Sequence, residues 1–243
     1  MIVSPLAHRF VAAANHEPRR NGRAVDLLLL HYTGMTSAEA ACTLLCQAES
    51  GVSCHYLVDE DGTITQMVGE DERAWHAGVS SWQGETDTNS RSIGIEIQNP
   101  GHQYGYRDFP AAQMQAVTAL CRDILARHAI PPRNVLAHSD VAPGRKIDPG
   151  ERFDWALLAR EGVGHWVSPS APDDRPLTGA DLARFQELLA GYGYGIAVTG
   201  EHDEATRKAT DAFQRHFRQG LVNGIPDVSA LATAERLVNG LAA

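Results

Sequence analysis

A short polar stretch after residue 137 carries several side chains that could do chemistry together. Residues 134–137 indicate a buried strand, and His138, Lys146 and Asp148 follow it in a loop with two Pro-Gly dipeptides. Such dipeptides fix turns rather than helix, and the proline after Asp148 favours extended backbone there, which holds the carboxylate away from the chain. Imidazole nitrogens and a carboxylate that leave one coordination position open are the ligands of a catalytic zinc ion.

A third ligand must come from elsewhere, and His31 is the best candidate because it ends the apolar run at residues 25–30. Each of these residues is ordinary by itself, since a histidine after a strand is most often a capping or surface residue and Asp-Pro-Gly is most often a turn. The joint pattern is more specific. It combines two histidines at strand ends, an aspartate on a stiff loop and an acid, Glu96, on a third strand.

The four cysteines offer a different metal site, because Cys42 and Cys46 lie four residues apart on a predicted helix and Cys54 adjoins His55. A structural zinc ion on cysteines is one alternative. Buried, apolar free cysteines are far more common, and four cysteines do not make a disulfide scaffold in a chain of this length. We therefore expect reduced packing residues, which favours a reducing compartment.

Four motifs along the chain occur in the order found in a known family. They are His31-Tyr32-Thr33, Ala74-Trp75-His76-Ala77-Gly78, Ser92-Ile93-Gly94-Ile95-Glu96, and His138-Ser139-Asp140 through Lys146-Ile147-Asp148-Pro149-Gly150. In these motifs the sequence resembles the zinc-dependent N-acetylmuramoyl-L-alanine amidases, a family related to phage amidase-type lysozymes and peptidoglycan recognition proteins. The resemblance covers residues 26–166. It implies cleavage between the lactyl group of N-acetylmuramic acid and the L-alanine of the peptidoglycan stem peptide, in wall remodelling or recycling.

The resemblance also implies roles for individual residues: zinc on His31, His138 and Asp148, Glu96 as the catalytic acid, and Lys146 facing the oxyanion. Some phage relatives have a cysteine as the last ligand, so the aspartate aligns this chain with the bacterial amidases. The chemistry agrees, because an amide resists water at neutral pH. Zinc lowers the pKa of its water ligand from ~16 towards ~7, a carboxylate carries the proton to the leaving nitrogen, and a fixed cation stabilises the tetrahedral oxyanion.

Contacts with the substrate are less specific in the sequence. Trp75 and His76 are candidates to line the groove, with Trp75 offering a flat face to a sugar or peptide, and Asn99 is a candidate hydrogen-bonding partner of the peptide. Each of the three is also a reasonable structural residue. The glycine-containing stretch at residues 101–107 is expected to form a mobile lip.

Hydrophobic periodicity predicts an α/β fold, with a central mixed β-sheet flanked by helices and a small three-helix domain after it. The strands are expected near residues 24–30, 53–58, 63–68, 93–97 and 134–137, and the helices near residues 38–47, 109–129 and 155–161. The long helix has one apolar stripe, and His128 on that stripe is expected to be a satisfied helix-end residue rather than a ligand.

The proline-rich residues 168–176 mark a domain boundary. We predict a zinc amidase domain at residues 1–166, a linker at 167–177 and a three-helix domain at 178–243. The last contains Gly193-Tyr194, Val198-Thr199-Gly200 and Ala212-Phe213-Gln214, and it resembles the peptidoglycan-binding three-helix module that often follows amidase domains. The alternatives are a structural appendage and a dimerisation element.

Composition limits partners and location. The net charge of −9 argues against a nucleic-acid partner, and no apolar run approaches the ~18 residues of a transmembrane segment. Residues 1–14 lack the pattern of a secretory signal, which favours the cytoplasm and recycled anhydromuropeptides. A polymer-binding module favours intact wall instead, so periplasm or cell envelope remains the alternative.

Two further functions fit the same sequence. A protein of this fold that recognises wall polymer without cutting it is one, although the presence of all three ligands and the acid favours an enzyme. A zinc peptidase acting on free peptides is the other. A polymer-binding module argues against it, because an enzyme for small soluble peptides gains little from being tethered to the wall.

Overall fold

The computed structural model describes residues 3–241. The strands are β1 Arg9–Phe10, β2 His16–Pro18, β3 Leu27–Tyr32, β4 Tyr56–Val58, β5 Ile64–Gln66, β6 Glu72–Ala74, β7 Ser92–Ile97 and β8 Val135–Ala137. The α-helices are α1 Ala38–Cys46, α2 Thr88–Arg91, α3 Gly101–Tyr104, α4 Ala111–Arg127, α5 His138–Val141, α6 Trp155–Arg160, α7 Gly179–Tyr192, α8 Glu204–Phe217 and α9 Val228–Asn239.

The fold is built on a six-stranded mixed sheet with the order β1-β5-β4-β7-β3-β8, and β2 and β6 form a separate antiparallel pair. Strands β4, β7, β3 and β8 run parallel, while β5 is antiparallel to β4. The predicted mixed sheet flanked by helices is confirmed. The predicted hairpin is also present, with shorter strands than the sequence indicated.

Strand β3 extends two residues beyond the predicted strand at its C-terminal end, which lies at the site. Residues 27–30 are four fully buried leucines, as expected for a strand covered on both faces. The strand then continues through His31 and Tyr32, because its parallel ladder with β7 extends to Ile97. His31 is therefore a strand residue with a defined face, rather than a residue beyond the strand end.

One face of the sheet is covered by α4 and α6. The apolar stripe of α4 packs there against β3 and β7, and it includes Val117, Leu120, Cys121 and Ile124. The helix ends at Arg127, and the Nε2 of the next residue, His128, lies 2.8 Å from Glu70 Oε2. His128 is thus a satisfied helix-end residue, as predicted.

The opposite face is covered by α1 at one end and by α7, α8 and α9 at the other. The three C-terminal helices and the sheet share one hydrophobic core around Trp82, whose indole is fully buried against Tyr192 and Tyr194. The aromatic residues Phe185 and Phe213 belong to the same core. The C-terminal unit is therefore packed against the sheet.

The predicted linker follows α9 closely. Its backbone is hydrogen-bonded there: Ser170 N donates to Thr233 Oγ1, Leu177 N donates to Pro226 O, and Val228 N donates to Arg175 O. Prolines in the sequence correctly excluded helix here. Composition does not reveal partners on another element, however, and these partners fix the segment.

The four cysteines are free thiols, with Cys54 and Cys121 buried and Cys42 and Cys46 partly exposed on α1. In the described residues no cysteine belongs to a group that could hold a metal ion. Over the same residues, no helix combines the length and the apolar character needed to cross a membrane.

Candidate metal centre and active site

The pairing of β3 with β7 brings an imidazole and a carboxylate side by side. The two strands are parallel neighbours in which His31 pairs with Glu96. Successive side chains alternate between the faces of a sheet, so His31 shares its face with Leu29, and Glu96 shares it with Gly94. The period-two prediction for Gly94 and Glu96 agrees with this arrangement.

Strand β8 lies on the other side of β3 and delivers the second histidine. His138 is the first residue of α5, directly after β8, and the loop that follows returns with Asp148. His31 Nδ1 and His138 Nδ1 are 2.9 Å apart, and Asp148 Oδ2 lies 3.2 Å from the first nitrogen and 3.0 Å from the second. All three side chains are buried. The structure thus brings together the three residues that the sequence predicted as ligands.

The outer nitrogens of both imidazoles have polar partners. His138 Nε2 donates to the carbonyl oxygen of Ala77 over 3.0 Å, so Nδ1 faces the cluster with its lone pair. His31 Nε2 lies 3.0 Å from His76 Nδ1, and His76 Nε2 lies 3.2 Å from Ser92 Oγ. In the tautomer that suits a metal ion, His31 Nε2 donates to His76 and His31 Nδ1 is a second lone pair. Such outer partners orient metal ligands.

These donors suit a divalent metal ion. Burial and the neighbouring His138 lower the pKa of His31 to about 4, so its imidazole is neutral at pH 7. Two lone pairs and a carboxylate that face one point repel each other unless a cation lies among them. A set of two imidazole nitrogens and one carboxylate is typical of zinc sites that keep one position open.

Gly94 makes room for the outer partner of His31. A Cβ atom at this position would lie 2.5 Å from the His76 ring, so only glycine lets the imidazole lie against β7. Burial and the neighbouring His31 hold the pKa of His76 well below its usual value, which keeps the ring neutral. The glycine in the Ser92–Glu96 motif is therefore required by packing.

The carboxyl group of Glu96 lies beside the cluster and has an oxygen without a hydrogen bond within residues 3–241. Its Oε2 is buried and has no hydrogen-bond partner among the residues described. Burial and the negative charge of Asp148 raise the pKa of the Glu96 carboxyl well above its usual value, against the opposing effect of Lys146. A carboxyl group with a raised pKa and a free oxygen is suited to exchanging protons with a bound molecule.

The cluster opens into a cavity of about 290 Å³ whose lining includes His138, Glu96, Lys146 and Asp148. The lining on the α1 side is mostly apolar, with Met35, Ala41, Leu44, Leu45 and Val52. A second, more open cleft of about 620 Å³ adjoins it, since both are lined by Val52, His76 and Lys146. The two form one continuous groove across the cluster.

The predicted substrate-contacting residues are placed differently from one another. Trp75 lines the second cleft, and His76 lines both parts of the groove while it also supports His31. Asn99 is buried, donates to Arg107 O over 2.8 Å and accepts from Gly101 N over 3.0 Å. The structure does not bring Asn99 into the groove. Its amide instead fixes the loop that the sequence predicted as a lip.

Sequence reasoning missed two features beside the ligands. Arg145 Nη2 donates to the Ala77 carbonyl over 2.5 Å, and its Nε donates to Val79 O over 2.9 Å. The Ala77 carbonyl thus accepts from both Arg145 and His138. The phenol ring of Tyr32 also lines the cavity. The position of Arg145 next to Lys146 could have drawn attention to it. Its partner, the backbone carbonyl of Ala77, could not be found from the sequence, because every residue has a carbonyl.

Comparison with known proteins agrees with this geometry. The family described as N-acetylmuramoyl-L-alanine amidase matches residues 21–151, and a family described as a peptidoglycan binding domain matches residues 178–233. The first match includes more than half of the chain. The chain belongs to the N-acetylmuramoyl-L-alanine amidase family. The amidase matches the N-acetylmuramoyl-L-alanine amidase AmiD of Escherichia coli K12 with 40% identity, over 91% of this chain and 87% of AmiD.

Solved structures extend the likeness to both parts of the amidase. The complex of E. coli AmiD with anhydro-N-acetylmuramic acid-L-Ala-D-gamma-Glu-L-Lys superposes with a TM-score of 0.78 at 38% identity, over 95% of this chain and 93% of that one. The complex of AmpDh3 from Pseudomonas aeruginosa with anhydromuramic pentapeptide gives a TM-score of 0.75 at 31% identity, over 91% and 94%. The likeness therefore includes the C-terminal helices as well as the sheet.

The packing of Gly94 predicts the effect of a single methyl group. We expect Gly94→Ala to displace the His76 ring, weaken the support of His31 and reduce metal affinity by roughly 10–100-fold, the usual cost of losing an outer partner. Metal affinity is measured by competition with a chromogenic chelator.

Gly191→Ala is the matched control for Gly94→Ala. Gly191 is exposed in α7 with no atom within 4 Å of an added Cβ, so this variant should bind metal like the wild type. Equal affinities of the two variants would contradict a supporting role of His76.

Proposed function

We propose that this amidase is a zinc hydrolase that cleaves the bond between N-acetylmuramic acid and L-alanine in muropeptides of the kind bound by AmiD and AmpDh3. The observation that carries the proposal is the free Oε2 of Glu96 in one cavity with His138, Asp148 and Lys146. A metal-competent cluster, a proton carrier and a cation thus line one groove, which is what amide hydrolysis requires.

His31, His138 and Asp148 are the proposed zinc ligands. Their donor atoms lie within 4.8 Å of one another, and the two imidazoles and single carboxylate match the preference of zinc for nitrogen and oxygen ligands. Zinc bound there would act as a Lewis acid and lower the pKa of water to about 7. Arg145 supports this arrangement by fixing the Ala77 carbonyl to which His138 donates.

Glu96 is the proposed proton carrier. Its carboxylate takes a proton from the attacking water and delivers it to the leaving nitrogen of L-alanine, so that the amine departs neutral. The raised pKa suits both halves of this task, because a carboxylate with a raised pKa is a stronger base than a free one and its acid form can still give the proton up.

Lys146 is the proposed partner of the oxyanion. Its side chain lines both parts of the groove at the point where they meet. A cation held at this position stabilises the tetrahedral species more than the planar amide. Such preorganised stabilisation contributes a few kcal/mol, or roughly 10²–10³ in rate.

The same geometry argues against the two alternatives. A wall-recognition protein has no use for a buried carboxylate without a partner beside a metal-competent cluster, since burial of an unsatisfied polar group costs stability. A peptidase for free peptides does not account for the peptidoglycan binding domain family matched at residues 178–233. An amidase that acts on muropeptides or wall polymer accounts for both.

The roles of the remaining predicted residues follow from their positions. Trp75 and His76 are proposed to border the substrate, while Asn99 supports the loop next to the groove. We propose the division into a catalytic domain at residues 1–166, a linker at 167–177 and a polymer-binding domain at 178–243. The packing of α7–α9 on the sheet supports a polymer-binding domain that lies next to the catalytic domain.

The proposed compartment is the cytoplasm, with periplasm or cell envelope as the alternative. The support is the state of the cysteines, none of which is paired in a disulfide within residues 3–241. The matching substrates are then recycled anhydromuropeptides. Fractionation of the producing cells distinguishes the two locations.

Purified sacculi separate the three candidate functions in one assay. An amidase should release intact stem peptides from the sacculi or from soluble anhydromuropeptides tested in parallel, because the lactyl–alanine amide is the bond cut, and chromatography of the soluble fraction detects them. A recognition protein would sediment with the sacculi and release nothing. Cleavage of free stem peptide, with sacculi left unchanged, would contradict the proposal in favour of a peptidase.

Loss of a ligand should abolish metal binding and activity together. The wild-type protein is expected to contain about one zinc ion per chain, and His138→Ala is expected to lose it, because two ligands do not hold zinc firmly. Inductively coupled plasma mass spectrometry measures the zinc content. His202→Ala, at an exposed histidine that bonds Gly224 O, is the control and should keep its zinc. Full zinc content in His138→Ala would refute the ligand assignment.

The pH profile tests Glu96 directly. The ionised carboxylate is the active base, so kcat/KM should fall as the pH drops through its pKa. Because that pKa is raised, the acidic limb should lie above the ~4.3 of a free glutamic acid. Glu96→Gln should keep zinc, lose about 10²–10⁴ in kcat and lose this limb. Lys146→Gln should be slow yet keep the limb. An unchanged limb and near-normal rate in Glu96→Gln would exclude Glu96 as the base.

A further inference from the structure

Residues 137–153, which carry the proposed ligands His138 and Asp148 and are called the ligand segment below, form hydrogen bonds and an ion pair with the C-terminal unit. Asp140 follows His138 by two residues in α5 and is fully buried. Its Oδ2 accepts from Ala137 N over 2.8 Å and from His216 Nδ1 over 2.6 Å, and its Oδ1 accepts from the Tyr194 hydroxyl over 2.6 Å. Two of its three partners thus belong to the C-terminal unit.

The far end of the same segment is held as well. Arg215 of α8 forms an ion pair with Glu151, three residues after Asp148. Gln219 Nε2 donates to Phe153 O over 2.7 Å. Between the two ends, the aliphatic part of Lys208 packs so closely on Gly144 that a Cβ there would lie 2.4 Å away. The α8 helix and the residues that follow it therefore contact the segment from its beginning to its end.

One of these contacts continues to the cavity wall. Glu151 also lies 3.1 Å from His102 Nε2, and His102 Nδ1 lies 3.1 Å from the hydroxyl of Tyr32. Tyr32 lines the cavity and follows His31 in β3. The Arg215–Glu151 pair thus supports both the ligand segment and the neighbour of the remaining ligand.

We propose that the C-terminal unit positions the metal ligands, with Tyr194, His216 and Arg215 as positioning residues that act through Asp140 and Glu151. This role is separate from polymer binding and applies to soluble substrates too. It rests on the proposed zinc function, because the ligands being positioned are the proposed zinc ligands.

The physical basis is the cost of leaving Asp140 incompletely bonded. A fully buried carboxylate needs its hydrogen-bond donors, and loss of one donor leaves the others to satisfy the same charge. The adjacent turn of α5 then relaxes, and His138 moves with it. A metal site tolerates displacements of only about 0.5 Å in its ligands, so a small relaxation weakens metal binding.

The test compares two tyrosine-to-phenylalanine variants of the full chain. Tyr194→Phe removes the hydroxyl that donates to Asp140 and keeps the ring against Trp82. Tyr192→Phe is the matched control, because Tyr192 also packs on Trp82 and is also buried, but its hydroxyl bonds His165. His165 lies outside the ligand segment.

Two measurements are made on each variant. The zinc dissociation constant, from competition with a chelator, should rise about 3- to 10-fold in Tyr194→Phe, less than the roughly 10–100-fold for loss of a direct partner of a ligand. Amide hydrogen exchange in zinc-free protein should become faster across residues 137–148. Tyr192→Phe should change neither.

Arg215→Gln extends the comparison to the other end of the segment, with Arg207→Gln as its control. Arg207 lies on the same helix, and within residues 3–241 its ion pair is with Glu204 of that helix. Arg215→Gln should accelerate exchange near residue 151 and raise the zinc dissociation constant several-fold.

Identical zinc affinity and exchange in Tyr194→Phe and Tyr192→Phe would overturn the inference, even if the wild type is an active zinc amidase. A wild type that binds no zinc would refute the proposed function. The exchange experiment on zinc-free protein would then still decide whether the C-terminal unit holds the ligand segment.

Discussion

The parallel register between β3 and β7 is the constraint on which the site depends. It pairs His31 with Glu96, and the neighbouring β8 adds His138 at the same end of the sheet. Side chains at the carboxyl ends of parallel strands converge without long loops, so the cluster has a rigid base. A shift of one residue between β3 and β7 would turn one of the two side chains to the other face.

Polar groups gathered in a buried site must be satisfied, and the amidase does so with an ordered set of donors. The outer nitrogen of each cluster imidazole has a polar partner, His76 in one case and the Ala77 carbonyl in the other. The inner nitrogens then face one point. Glu96 departs from this pattern, since its Oε2 has no partner within the described residues. That unsatisfied oxygen costs stability, and the cost is consistent with a group kept free for reaction.

The C-terminal helices pack against one face of the sheet and share a hydrophobic core with it. Trp82, in the loop between β6 and α2, lies in a core shared by the sheet and α7–α9. A small unit with three short helices buries little apolar surface by itself, so packing against a larger partner is physically favourable. Shared packing also couples the two parts mechanically. This packing also brings polar groups of the two parts together, as in the hydrogen bond between His216 and Asp140.

The sequence determined the fold class and pointed to the candidate ligands of the site, because these depend on local patterns. Runs of leucine indicated buried strands, the spacing of His138 and Asp148 indicated ligands, and four ordered motifs carried the resemblance to the amidases. Only the tertiary structure decided how these pieces meet. The extent of β3 through His31 depends on its ladder with β7, which no local pattern encodes. The role of Asn99 in a loop, the shared acceptor at Ala77 and the contact of α8 with the ligand segment depend on residues far apart in the chain. Their positions follow from long-range packing, and propensity and periodicity measure only what lies nearby.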